Sequence, residues 1–173
     1  RPSTKGREIF GGLVPYGKLW RTGANANTTV EFSTMVKVAG IDVKPGKYSI
    51  VTIPEEGGNW IIKLNSKTDM WGTAGYNEEL DVTVVEARAI EIENRIETFT
   101  IDVSSIGPRR ANITLGWENM IVNIPIEVEV TEMAEMNIKK AISSDDSDNK
   151  WRVYRNSASY YYNNKTYYLG QIY

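Results

Sequence analysis

The chain contains no histidine and no cysteine. Those two absences exclude Ser-His-Asp and Cys-His hydrolases in their usual form. They also exclude zinc sites built on His or Cys, haem held by either, and iron–sulfur clusters. Acid–base work would fall to Asp, Glu, Lys or Tyr with a shifted pKa. Metal binding would be limited to hard cations on carboxylates and carbonyls. The missing cysteine is neutral about compartment. Charge of one sign is also lacking: the formal net charge is -2, with acids and bases interspersed, so no nucleic-acid-binding stripe is present. No apolar run reaches the ~18 residues of a membrane helix. No catalytic motif and no cofactor motif stands out, so no cofactor is expected and the chain leans away from an enzyme.

What is present is an ordinary globular composition, with 41% hydrophobic residues in 173, enough for one domain and an appendage. From Thr28 to Val130, β-branched runs alternate with turn signals. Val30 and Phe32 share a face in TTVEFS, Ala39-Gly40 turns VKVAGIDV, and Lys44-Pro45-Gly46-Lys47 leads into Tyr48 to Ile53. Trp60 to Leu64 returns after PEEGGN. Phe99, Ile101 and Val103 alternate inward in ETFTIDV, and Ile113, Leu115 and Trp117 do so in ANITLGW. Glu118-Asn119 reads as a turn into Met120 to Val130, where Val122, Ile124, Ile126, Val128 and Val130 share one face. Pro125 inside that run marks an edge or a bulge. Ala87 to Arg95 fits strand or helix equally. The expectation is mainly β: an antiparallel sandwich of about eight strands over residues 1–130.

After Thr131 the period changes to helical. Met133, Met136, Ile138 and Ala141 define one helix, and Trp151, Tyr154, Ala158 and Tyr161 a second. Ser143 to Asp148 reads as the linker, with Ser147 or Asp148 as a cap. Asn163-Asn164 breaks the second helix, and a third begins near Lys165. Residues 131–173 are thus a short helical extension, expected to pack on the sandwich through Trp151, Tyr154 and Tyr161. Tyr160, Tyr162, Tyr167 and Tyr168 exceed one buried stripe, which suggests self-association or a protein partner. The openings RPSTKGRE and the ending on Tyr173 read as trimmed ends.

The segment Lys5 to Asn25 is the most specified. It holds five glycines, Pro15, three cations beyond Lys5, and Tyr16, Trp20 and Asn25. Arg7 and Arg21 are of the type that clamps a carboxylate or phosphate, Asn25 would orient it, and Tyr16 or Trp20 would stack on it. The structural alternative plugs Trp20 into the end of the sandwich, bonds Arg21 to loop carbonyls and gives Asn25 a turn conformation; it is the stronger of the two. Trp71 and Tyr76, in the polar loop Asn65 to Glu79, form a second aromatic pair. Joining the two clusters requires their loops to meet.

KGREIFGGLVPYGKLWRTGANANT, KPGKYSI, the loop carrying Trp71, Gly72, Thr73, Gly75 and Tyr76, and ETFTI together resemble the domain of unknown function catalogued as family 2911. The resemblance covers roughly Arg1 to Val130. WRVYRNSASYYY is similar to the tetratricopeptide-like tail of many members. The resemblance implies an exported, periplasmic or cell-surface bacterial protein, a missing signal segment and first strand, and no established activity. The leading functional expectation is a non-catalytic module binding a small molecule, glycan or peptide through residues 5–25. An assembly role of the tyrosine-rich tail is the alternative, and a carboxylate- or Arg/Tyr-based enzyme ranks last.

Overall fold

The computed structural model describes residues 2–144 and 150–164. The expected cap at Ser147 or Asp148, the third helix from Lys165, and Tyr167 and Tyr168 lie outside the described residues. The described residues form two compact units, one ending at Val128 and the other beginning at Glu129.

The first unit is one antiparallel sheet of seven strands, ordered β1-β4-β5-β6-β7-β2-β3. The strands are β1 (Thr28–Phe32), β2 (Val36–Val38), β3 (Ile41–Val43), β4 (Gly46–Ile53), β5 (Asn59–Asn65), β6 (Asp81–Gly107) and β7 (Arg110–Val128). Ala39 and Gly40 both take positive φ, 47° and 88°, the geometry that makes a tight β2–β3 hairpin. Strand β6 belongs to both halves of the sheet. It pairs with β5 up to Arg88 and with β7 from Ala89 onward. Inward residues of both halves, among them Ile50, Trp60 and Ile62 with Val38, Leu115 and Ile124, close over one core. The mainly β, sandwich-like expectation therefore holds.

Several particulars differ from the sequence reading. Ala87 to Arg95 is strand, continuous with both neighbours. Glu118-Asn119 is no turn: β7 runs through it, with Glu118 at φ 54° and a register shift against β6. The expected turn at Glu118-Asn119 is thus absent. Pro125 lies beyond Val122, the last β7 residue paired with β6, so its missing N–H costs no bond on that side. Phe99 is buried as expected, but Ile101 and Val103 are exposed; their alternation is right, and the hairpin simply overhangs the core.

The N-terminal segment completes the core. Ile9, Phe10, Val14 and Trp20 are buried in it, and Trp20 exchanges two backbone bonds with Thr52, at 2.7 and 2.9 Å. Its beginning is tied to β6: Ser3 bridges Thr98, the Thr4 hydroxyl donates to the Glu97 carboxylate, and the Lys5 amide donates to it at 2.8 Å. The Thr4 bond first, then the Lys5 bond, hold the Glu97 carboxyl below its usual range. A lowered carboxyl pKa gives its stabilisation in full above the ordinary value and loses it as pH falls through the lowered one. Acidification should therefore lower the protection factors of the Thr4 and Lys5 amides, each taken against the intrinsic exchange rate at that pH, before the sheet melts. Glu97→Gln should remove that pH dependence; unchanged dependence in the variant would assign it to another group.

The second unit holds α1 (Thr131–Ser144) and α2 (Lys150–Asn163), which pack against each other. Tyr161 is buried, with Ser157 one turn before it, whereas Trp151 and Tyr154 are exposed. No helix among the described residues is long and apolar enough to cross a membrane.

Candidate ligand-binding site

The segment from Trp20 to Asn27 and the loop after β5 meet. Ala26 bridges Trp71, the Gly72 amide donates to the Asn25 carbonyl at 3.0 Å, and the Asn27 amide donates to the Met70 carbonyl at 3.2 Å. Asn25 takes the left-handed conformation, φ 67°, and Gly72 does too, at 69°. Arg21 lies at this seam: a Cβ built on Gly72 would stand 3.8 Å from its Nη1. The Arg21 side chain is half-buried, and its Nε is buried with no hydrogen-bond partner. No salt bridge to it is found among the described residues. Trp71, which precedes Gly72, is 69% exposed. A guanidinium that has lost water at one nitrogen and gained no acceptor carries a desolvation cost that an anion would offset.

Arg21, Asn25 and Trp71 are thus brought together, and the other four candidates lie elsewhere. Trp20 is 8% exposed, enclosed by aromatic rings, with its Nε1 donating to the Gly23 carbonyl at 3.3 Å. Arg7 is exposed but occupied, donating to the Thr4 and Ser3 carbonyls at 3.0 and 2.8 Å.

Tyr76 belongs to the base of its loop. Its hydroxyl donates to Asp81 Oδ2 at 2.6 Å and accepts from Lys63 Nζ at 2.9 Å, while Lys63 pairs with the same Oδ2 at 2.9 Å. Burial, then the Asp81 bond, push the Tyr76 phenol up. The bond to Tyr76 raises Lys63 against the opposing effect of its own burial, and Asp81 adds to the rise. Tyr76 and Lys63 therefore keep their protons at neutral pH, and their bonds to Asp81 hold the base of the loop. Asn65 completes it, donating to the Asn77 carbonyl at 2.9 Å and to Asp81 Oδ1 at 2.8 Å.

Tyr16 lines a separate cavity of about 390 Å³ with Glu8, Phe10, Glu91, Glu118 and Met120. Burial and then the charges of Glu56, Glu118, Glu8 and Glu91 raise its phenol pKa. This negative field repels anions and sets Tyr16 apart from the Arg21 seam. Glu8, Glu91 and Glu118 come from distant segments in no motif, so no local pattern announces them. Among the described residues, no group of three or more His, Cys, Asp or Glu side chains is placed to hold a metal ion.

The fold is a mainly β domain in which two loops meet at the Arg21 seam. Residues 1–126 match the family described as Protein of unknown function (DUF2911), and the chain belongs to that family. No curated protein and no solved structure matches it.

Proposed function

We propose that the β unit is a non-catalytic binding domain for an anionic small ligand, a carboxylate or phosphate borne on a flat ring. Arg21 pairs the anion, Trp71 stacks on the ring, and Asn25 orients the ligand from the rim. The half-buried Arg21 guanidinium, with its unbonded Nε at the seam of two loops, is the observation that carries this reading. Exposure of Trp71 supports it, because an exposed indole one residue from Gly72, which Arg21 approaches, is a stacking surface with no fold to hold. The neighbouring backbone supports it too: Asn25–Gly72 and Asn27–Met70 bonds hold both loops in place before any ligand arrives.

The test is a thermal-shift series with glucuronate, indole-3-acetate and inorganic phosphate. A probe at 100 times its Kd should add about 2.7 kcal/mol. Arg21→Gln should weaken binding of a responding probe by more than tenfold, since a charge-assisted bond is worth roughly 1.5–3 kcal/mol. Trp71→Ala should weaken the ring-bearing probes and leave phosphate unchanged. Equal affinity in Arg21→Gln, or no response to any probe, would overturn the reading.

A further inference from the structure

The cavity beside Tyr16 has walls of a different chemistry from the Arg21 seam. Its volume, about 390 Å³, lies within the range of small-molecule pockets. Phe10, Tyr16 and Met120 supply its apolar walls, and Glu8, Glu91 and Glu118 supply carboxylates. No lysine or arginine lines it.

The walls are fixed before any ligand arrives. Phe10 is 5% exposed, and its ring meets Trp60 edge-on at 4.8 Å. The loop carrying Glu8 and Tyr16 is closed by the Val14 and Leu13 amides, which donate to the Ile9 and Glu8 carbonyls at 2.7 and 3.2 Å. A Cβ built on Gly11 would stand 3.0 Å from Tyr16 Cε2 and 3.7 Å from Glu8 Oε1, so the ring and the carboxylate converge over that glycine. Gly57 and Gly58 also line the cavity. They contribute no side chain, and a Cβ on Gly57 would meet nothing within 4 Å, so the cavity is open to a ligand there.

The three carboxylates are unequally satisfied. Glu118 is met on both oxygens, by the Ile9 and Phe10 amides and by Arg95. Glu91 receives one neutral bond, from Asn119 Nδ2 to its Oε1 at 2.9 Å, and no ion pair among the described residues. Neither a hydrogen bond nor an ion pair reaches the Glu8 carboxylate or the Tyr16 hydroxyl among the described residues. Acceptors without donors and an aromatic face thus border one concavity. Carboxylates alone would be served by water and simple salt. The rings change the preference, because a ring face attracts a cation whose charge is carried on an apolar body. A metal ion gains nothing from ring and thioether walls, which offer it no hard oxygen.

We propose that this cavity binds a small organic amine as its ammonium ion. The ammonium donates to the Glu8 carboxylate and lies against the Tyr16 ring. Glu91 adds to the attracting field, and the apolar body of the amine rests on Phe10 and Met120. The cavity shares no residue with the Arg21 seam, so either proposal stands if the other fails.

The experiment uses the 173-residue chain with isotope-labelled methionine methyls, titrated with benzylamine and with its uncharged counterpart, benzyl alcohol. Benzylamine should saturate the protein and shift the Met120 methyl resonance, leaving those of Met70 and Met133 in place. Benzyl alcohol should bind about tenfold more weakly or less. Glu8 and Glu91 are both exposed, so the double variant Glu8→Gln, Glu91→Gln keeps the fold, and it should weaken benzylamine about tenfold. Tyr16→Leu keeps apolar bulk but removes the ring, and should weaken it as well. Arg21→Gln should leave benzylamine binding unchanged, which separates this cavity from the anion site. Three results would overturn the proposal: no saturable shift at Met120, equal affinity for benzyl alcohol, or benzylamine held as tightly by the double variant as by the parent.

Discussion

Trp20→Ala should lower the stability of the β unit by roughly 3–5 kcal/mol, and its melting temperature by on the order of 10–20 °C. The Trp20 ring is stacked on Trp117, centroids 6.0 Å apart and planes 21° apart, and it meets Phe99 edge-on at 5.2 Å. Phe10 and Trp60 approach its other sides at 6.2 and 6.5 Å. These rings come from the N-terminal segment and the paired strands β5, β6 and β7, so Trp20 packs the N-terminal segment onto the sheet. Alanine would remove one of that cluster's three indoles and leave a void that rigid neighbours cannot close. Trp20→Phe should recover much of the loss. Trp71→Ala provides the contrast: an exposed indole outside the core should change stability by no more than about 0.5 kcal/mol. Calorimetry of the three variants settles the matter, and a Trp20→Ala protein melting within 2 °C of the parent would remove Trp20 from the core.

That contrast shows where sequence reading reaches and where it stops. The two tryptophans stand in similar settings, each within three residues of a glycine in an irregular stretch. Trp20 is buried because its backbone pairs with Thr52, and Trp71 is exposed because its own pairs with Ala26. Both pairings are non-local, and no spacing announces them. Local chemistry was legible where it was decisive. Ala39-Gly40 turned as its residues require, and the change of period at Thr131 marked a helix. Ala87 to Arg95 was not legible, because its charges fit a helix pitch as well as the outer face of a strand. Ile101 and Val103 alternate correctly, but alternation tells which face a residue takes and not whether anything covers that face. Glu118 looked like a turn residue because it adopts one residue of turn geometry inside a continuing strand. Of the candidate site, the types of residue could be read in advance. The union of Arg21, Asn25 and Trp71 could not, since it depends on the Gly72 amide reaching the Asn25 carbonyl.

Glu118→Ala should cost roughly 2–3 kcal/mol, a large effect for a charged residue in a sheet. Its Oε2 accepts from the backbone amides of Ile9 and Phe10 at 3.2 and 3.3 Å, and its Oε1 lies 3.3 Å from Arg95 Nη2. The side chain is only 13% exposed. Hydrogen bonds to a charged acceptor contribute about 1.5–3 kcal/mol; these two are long, so the lower end applies to each. The ion pair adds less than about 1 kcal/mol, because the Arg95 side chain is half in solvent. Three substitutions separate the contributions. Glu118→Gln keeps an oxygen for both amides and loses only the charge, so it should be the mildest. Glu118→Gly loses the acceptor but relieves the positive φ, by about 1 kcal/mol. Glu118→Ala loses the acceptor and keeps the strain, so it should be the worst. Hydrogen exchange at Ile9 and Phe10 should accelerate in the Gly and Ala variants and hold in Gln. A Gln variant as unstable as Ala would shift the weight to the Arg95 pair. A carboxylate inside a β-strand is then the anchor of the N-terminal segment: it meets two amides that Ile9 and Phe10 would otherwise leave unpaired as they enter the core.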